Sequence, residues 1–144
     1  MMNDSKTTNT YALSIRQPWA ELILSGKKTL EIRSWSTDYR GLLWVHVGLK
    51  SDPELERAFG LTNLFRGGYI GTVVLGGVIP LDEDDWVFYR SKHLDLSRYQ
   101  PNHYGWFLES PLRFATPIPG PGKLGLYHPS EDVVALLKSA SRTE

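Results

Sequence analysis

The segment Tyr69–Ile79, YIGTVVLGGVI, constrains the fold of this chain most. Its β-branched residues favour an extended backbone, and the glycines at 71, 76 and 77 would weaken a helix. It reads as one long strand in which glycine marks a bulge or the strong curvature of a barrel wall. Gly67 and Gly68 lie just before it, and Pro80 is expected to end it.

Shorter β segments surround that strand. Tyr11–Ile15 and Leu42–Val47 read as strands, and alternation over Thr29–Trp35 sets Leu30 and Ile32 against Thr29, Glu31, Arg33 and Trp35. A helix is expected from Pro18, which suits a first helical turn, with Trp19, Leu22 and Ile23 inward and Gly26 as its cap. A second helix is expected from about Asp52 to Phe65, with Ser51 and Glu54 as capping box and Leu55, Ala58 and Phe59 inward. Residues 81–104 read as a polar and aromatic excursion holding a short helix or two. Trp106–Ala115 returns as a strand interrupted by Pro111, and PIPGPG at 117–122 as an extended turn. Gly125–Tyr127 adds a short strand, and a last helix starts at Ser130 with Val133, Val134 and Leu137 inward. Without a βαβ rhythm, these elements predict an α+β chain: a small, mostly β barrel with flanking short helices. Residues 11–140 are expected to form one soluble domain behind a disordered tail at 1–10.

With 144 residues and 41% hydrophobic side chains, the chain can build a core without cross-links. It has no cysteine, so disulfides, thiolate metal sites and cysteine nucleophiles are excluded. No apolar run is long enough to span a membrane, and MMNDSKTTNT is not a secretory signal. A cytoplasmic location is expected. The net charge of zero argues against a high-affinity duplex binder, although basic residues outnumber acidic ones by seven to four before residue 51. Asp82, Glu83, Asp84 and Asp85 concentrate the opposite sign. The four histidines, at 46, 93, 103 and 128, have no metal-ligand spacing, and no metal or cofactor is expected.

The densest chemistry lies near the junction of the first helix and the following strand. Lys28 and Glu31 are the candidate catalytic pair. Arg16, Gln17, Trp19, Lys27, Arg33, Trp35, Tyr39, Arg40 and His46 are the candidate ligand-binding residues. A carboxylate between a lysine and an arginine can serve as a base, position the lysine, or form a structural ion pair.

The motifs QPW at 17–19, GKKTLEIRSW at 26–35 and YRGLLWVH at 39–46 resemble the ASCH (activating signal cointegrator homology) family of the PUA-like barrel superfamily. GWFL at 105–108 and GKLGLY at 122–127 resemble its closing strands, so the similarity runs from about Tyr11 to Tyr127. It implies a small barrel with a cleft beside the first helix, and roles in RNA binding, processing or transcriptional coactivation. Some members are ribonucleases, and others are amidohydrolases acting on acetylated cytidine. Lys28 matches the lysine of the amidohydrolases, whereas Glu31 stands where they carry a threonine, which brings the chain closer to the coactivator-type branch. The leading expectation is therefore a module for RNA or single-stranded nucleic acid. The alternative is a hydrolase acting on RNA or a modified nucleoside through Lys28 and Glu31. A protein partner or small ligand remains a third class.

Overall fold

The structure, a computed structural model, describes residues 10–142. The expected tail lies outside them except for Thr10. Among these residues six strands form one sheet: β1 (Tyr11–Ser14), β2 (Leu30–Arg33), β3 (Gly41–Val47), β4 (Gly68–Leu81), β5 (His103–Pro119) and β6 (Leu126–Tyr127). Five helices accompany it: α1 (Trp19–Leu24), α2 (Pro53–Ala58), α3 (Glu83–Phe88), α4 (Arg90–His93) and α5 (Glu131–Arg142).

The long glycine-bearing strand is present and organises the sheet. Across β4 and β5 the register shifts between Tyr69 and Gly71, between Thr72 and Val74, and between Leu75 and Gly77. Two glycines permit the close approach of these strands. A Cβ on Gly68 would lie 2.3 Å from the Ile118 carbonyl oxygen, and one on Gly71 equally close to that of Leu112. Packing carries β4 through Pro80 rather than ending it there, because Leu81 is buried with Leu30 and Trp86. Likewise β5 runs on to Pro119 and absorbs the start of the expected PIPGPG turn.

The sheet does not close into a barrel, which corrects the fold expectation. Strand order is β2-β5-β4-β3-β1-β6, and β2 and β6 remain as edges. β4 and β5 contribute 14 and 17 residues, but the strands that would have to meet contribute four and two. So short a pair offers few ladder bonds with which to complete a ring. At the β2 end, α4 covers the approach instead, with the Thr29 amide donating to the Lys92 carbonyl at 3.0 Å. The sheet is also mixed, because β1 runs parallel to β3 after a crossover through α1 and β2.

On one face α1 buries Ala20, Leu22, Ile23 and Leu24. Ile23 and Leu24 pack with Leu43, Val45, Val73, Leu75 and Trp106. Each large aliphatic side chain so buried contributes about 1.5–3 kcal/mol. On the other face α5 packs Leu137 with Trp44, Tyr69 and Phe114. The second helix departs from expectation. It stops at Ala58, which is exposed, and its cap is Asp52 rather than Ser51, with Asp52 Oδ1 accepting from the Leu55 amide at 3.1 Å. Among the described residues no helix is long and apolar enough to cross a membrane.

Candidate functional site

Lys28 owes its position to the end of α1. Gly26 takes the left-handed backbone (φ +83°), which reverses the chain so that the Lys28 amide donates to the Leu22 carbonyl at 3.0 Å. The side chain then enters the protein and keeps only 2% of its surface exposed. Its Nζ donates to the His93 carbonyl at 2.6 Å, lies 3.4 Å from Glu31 Oε1, and sits 4.5 Å from the centre of the Trp19 ring. Burial lowers the Lys28 pKa, and the Glu31 carboxylate opposes that shift.

Glu31 is engaged on both oxygens, since Oε2 accepts from Arg33 Nη1 at 3.3 Å. Arg33 Nη1 also donates to the Ser14 carbonyl at 3.2 Å. His93, itself fully buried, holds the far side. Its Nε2–H donates to the Trp86 carbonyl at 2.7 Å while Nδ1 accepts from the Asp95 amide at 3.0 Å. The pair therefore ties α1 and β2 to the 81–104 excursion.

Above this floor lies a cleft of about 250 Å³ lined by Arg16, Trp19, Lys28, Glu31, Ile32, Arg33, Trp86, Asp95, Gln100 and His103. Three cations against two carboxylates make its lining net positive. Of the residues expected from sequence, Arg16, Trp19, Lys28, Glu31 and Arg33 meet here. Lys27 is exposed beside them in the chain but is not part of the lining. Trp35 lies edge-on to Trp106 with ring centres 4.8 Å apart, while the Arg33 guanidinium carbon is 5.7 Å from the Trp35 ring.

The other candidates stand elsewhere. Gln17 is buried and uses both ends of its amide, donating to the Phe65 carbonyl at 3.0 Å and accepting from the Glu21 amide at 2.9 Å. Tyr39 packs on Tyr11 and donates to the Leu42 carbonyl at 2.6 Å. Arg40 folds back onto the carbonyls of Thr37 and Tyr39. His46 lines a separate groove with Ser14 and Gly120. Sequence reasoning missed Trp86, Asp95, Gln100 and His103, whose only advance signal was the polar and aromatic composition of residues 81–104.

The hydrolase expectation is corrected by this geometry. Glu31 has both oxygens committed to cations, and Lys28 is a buried, hydrogen-bonded ammonium rather than an accessible nucleophile. Among the described residues no group of three or more histidine, aspartate or glutamate side chains could hold a metal ion to activate water.

Comparison with known proteins places this arrangement in a family. Activating signal cointegrator 1 from Homo sapiens and from Mus musculus are each 28% identical to it over 118 residues. Those alignments cover 76% of this chain and 20% of each relative, so the chain matches about a fifth of their length. The crystal structure of ASCH from Zymomonas mobilis superposes with a TM-score of 0.64 at 16% identity, covering 92% of this chain and 95% of that one. Two structures of point variants of that protein give 0.63. The ASCH domain profile matches residues 13–117, most of the chain, and the protein therefore belongs to the ASCH domain family.

Proposed function

We propose that this protein binds RNA or another single-stranded nucleic acid by receiving one unpaired base in the Lys28–Glu31 cleft. Membership of the ASCH family supports a nucleic-acid-binding role. The observation that carries the finer reading is the convergence of Arg16, Arg33 and the Trp19 ring on one small net-positive cleft. Single-strand recognition needs such a combination, with cations for phosphate and a ring face for the base. In this reading Lys28 and Glu31 form a rigid polar floor, and phosphate contact falls to the exposed Arg16 and Lys27. Residues 11–140 act as one domain in a cytoplasmic setting.

The cleft volume of about 250 Å³ favours a second form of the same reading. It falls just below the 300–1,000 Å³ of ordinary small-molecule pockets. A single nucleoside, modified ones included, matches that scale better than several stacked bases.

The test is a titration of labelled single-stranded RNA, with duplex RNA and free nucleosides as competitors, at two salt concentrations. The parent should bind the single strand in preference to the duplex. Arg16→Ala should weaken binding several-fold and reduce the slope of log K against log salt by about 0.7, the value for one lost phosphate contact. A parent protein that binds no RNA at low salt would sink the proposal.

A further inference from the structure

Two surfaces at opposite ends of the longest strand pair complement each other. The first is the outer face of α3. Trp86 points into the core, while Val87 and Phe88 are 63% and 75% exposed. Residues four apart on a helix are neighbours, so Glu83 lies beside Val87 and Asp84 beside Phe88. The outer face is therefore acidic and apolar together.

The second is the groove beyond the other end of β4, about 620 Å³ in volume and more apolar than the Lys28–Glu31 cleft. Leu49 and Leu124, 81% and 98% exposed, stand in its walls with Lys50 and Lys123, and no acidic residue lines it. Gly67 at the groove immediately precedes β4, whereas α3 begins two residues after Leu81, where β4 ends. β4, 14 residues and up to about 46 Å long, lies between the two surfaces and holds α3 at the end away from the groove of its own chain.

We propose that copies of this chain associate head to tail, with the outer face of α3 in one copy seated in the lysine-rimmed groove of the next. Charge complementarity names the occupant: the groove presents two lysines around apolar walls, and α3 presents two carboxylates around two apolar side chains. The contact joins two different surfaces, so it leaves one free end on each assembly and grows unless rotation closes a ring. Its small size places it among weak interfaces, below about 1,200 Å² in total.

Sedimentation of the full chain, free of nucleic acid, tests this from about 10 μM to about 1 mM, the range in which weak contacts form. The weight-average mass should rise with concentration past that of a dimer. Raising salt from about 20 to 300 mM, which shortens the screening length to well under 10 Å, should weaken association roughly tenfold. Phe88→Ser and Lys123→Glu change exposed side chains and should each leave the circular dichroism spectrum intact and the protein monomeric. Mixed together, the two variants should form a dimer that grows no further, because each retains the surface that the other has lost. A parent that stays monomeric throughout, a dimer of the parent that does not grow, or variants that fail to complement would each overturn the proposal. RNA binding is measured separately, so failure here leaves the proposed function standing, and the reverse holds too.

Discussion

The cleft and the groove each rest on a buried ionisable side chain, and they manage it in opposite ways. Lys28 is 2% exposed and His46 is 3% exposed. The lysine sits beside a carboxylate, a carbonyl and an indole face. The imidazole of His46 is saturated by local hydrogen bonds, with Nε2 donating to the Gly120 carbonyl at 2.9 Å and Nδ1 facing the Ser14 hydroxyl at 2.9 Å. Burial lowers the His46 pKa and keeps it neutral at pH 7. A buried ammonium requires a counter-charge, and here Glu31 draws Arg33 in after it, so the surrounding walls become polar. A neutral, satisfied imidazole makes no such demand, and the walls above it are free to be leucine and glycine.

The largest expected effect breaks the charged floor. Glu31→Ala strips Lys28 and Arg33 of their shared partner and should cost about 3–5 kcal/mol, the usual penalty for leaving one member of a buried pair alone. Lys28→Met combined with Glu31→Leu should recover much of that loss, because the buried ammonium leaves with its carboxylate, and the half-buried Arg33 keeps its bond to the Ser14 carbonyl. Urea unfolding of the three proteins checks both statements, and equal losses for the single and double variants would show that the pair is not a coupled unit.

Gly122→Ala is the counterpart in the groove and should cost less, about 1–3 kcal/mol. Its Cβ would stand 2.4 Å from His46 Nδ1 and 2.6 Å from Ser14 Oγ, so the imidazole must move. The same unfolding measurement applies, with the His46 ring resonances reporting displacement. An unshifted His46 would mean that the loop carrying Gly122 yields instead.

The smallest effect is in pH dependence. Burial is the main cause lowering both His46 and His93, and the Lys28 charge lowers His93 further. The unfolded chain takes up a proton below about pH 6.5 where the folded chain does not. Stability contributed by the two neutral rings is therefore complete above pH 6.5. It is lost as pH falls from there through the depressed folded values. Melting temperatures across pH 5–7.5 should fall toward the acid side. Lys28→Met should raise the His93 titration midpoint by NMR and leave that of His46 unchanged. Equal movement of both would contradict the separation of cleft and groove.

Local signals account for much of the core. The β-branched run with its glycines became β4, Gly26 reversed the chain after α1, and Leu30 came to lie wholly buried as its alternation predicts. Local signals failed where neighbouring residues compete for one role or where the packed chain decides. Ser51 and Glu54 match a capping box, yet Asp52 holds the cap because Glu56 accepts from the Asp52 amide on the same turn. Ala58 fits an inward stripe but faces solvent, since the helix ends there. Four of the ten residues lining the cleft came from residues 81–104, whose periodicity is weak because short helices held by Trp86 and His93 bury single side chains rather than stripes.

The sequence alone determined where the cores of the main strands lie, where α1 stops, and that Lys28, Glu31 and Arg33 stand close together, because turn chemistry and alternation act over a few residues. Only tertiary structure decided that the sheet stays open, since closure depends on how many residues the two edge strands can offer each other. It alone decided that Lys28 turns inward, because the carbonyl of His93, 65 positions away, supplies the hydrogen bond that makes burial tolerable. It also separated His46 from Lys28, although alternation leaves both available to a single site. Burial, partner and facing surface are properties of the packed chain, and no local spacing encodes them.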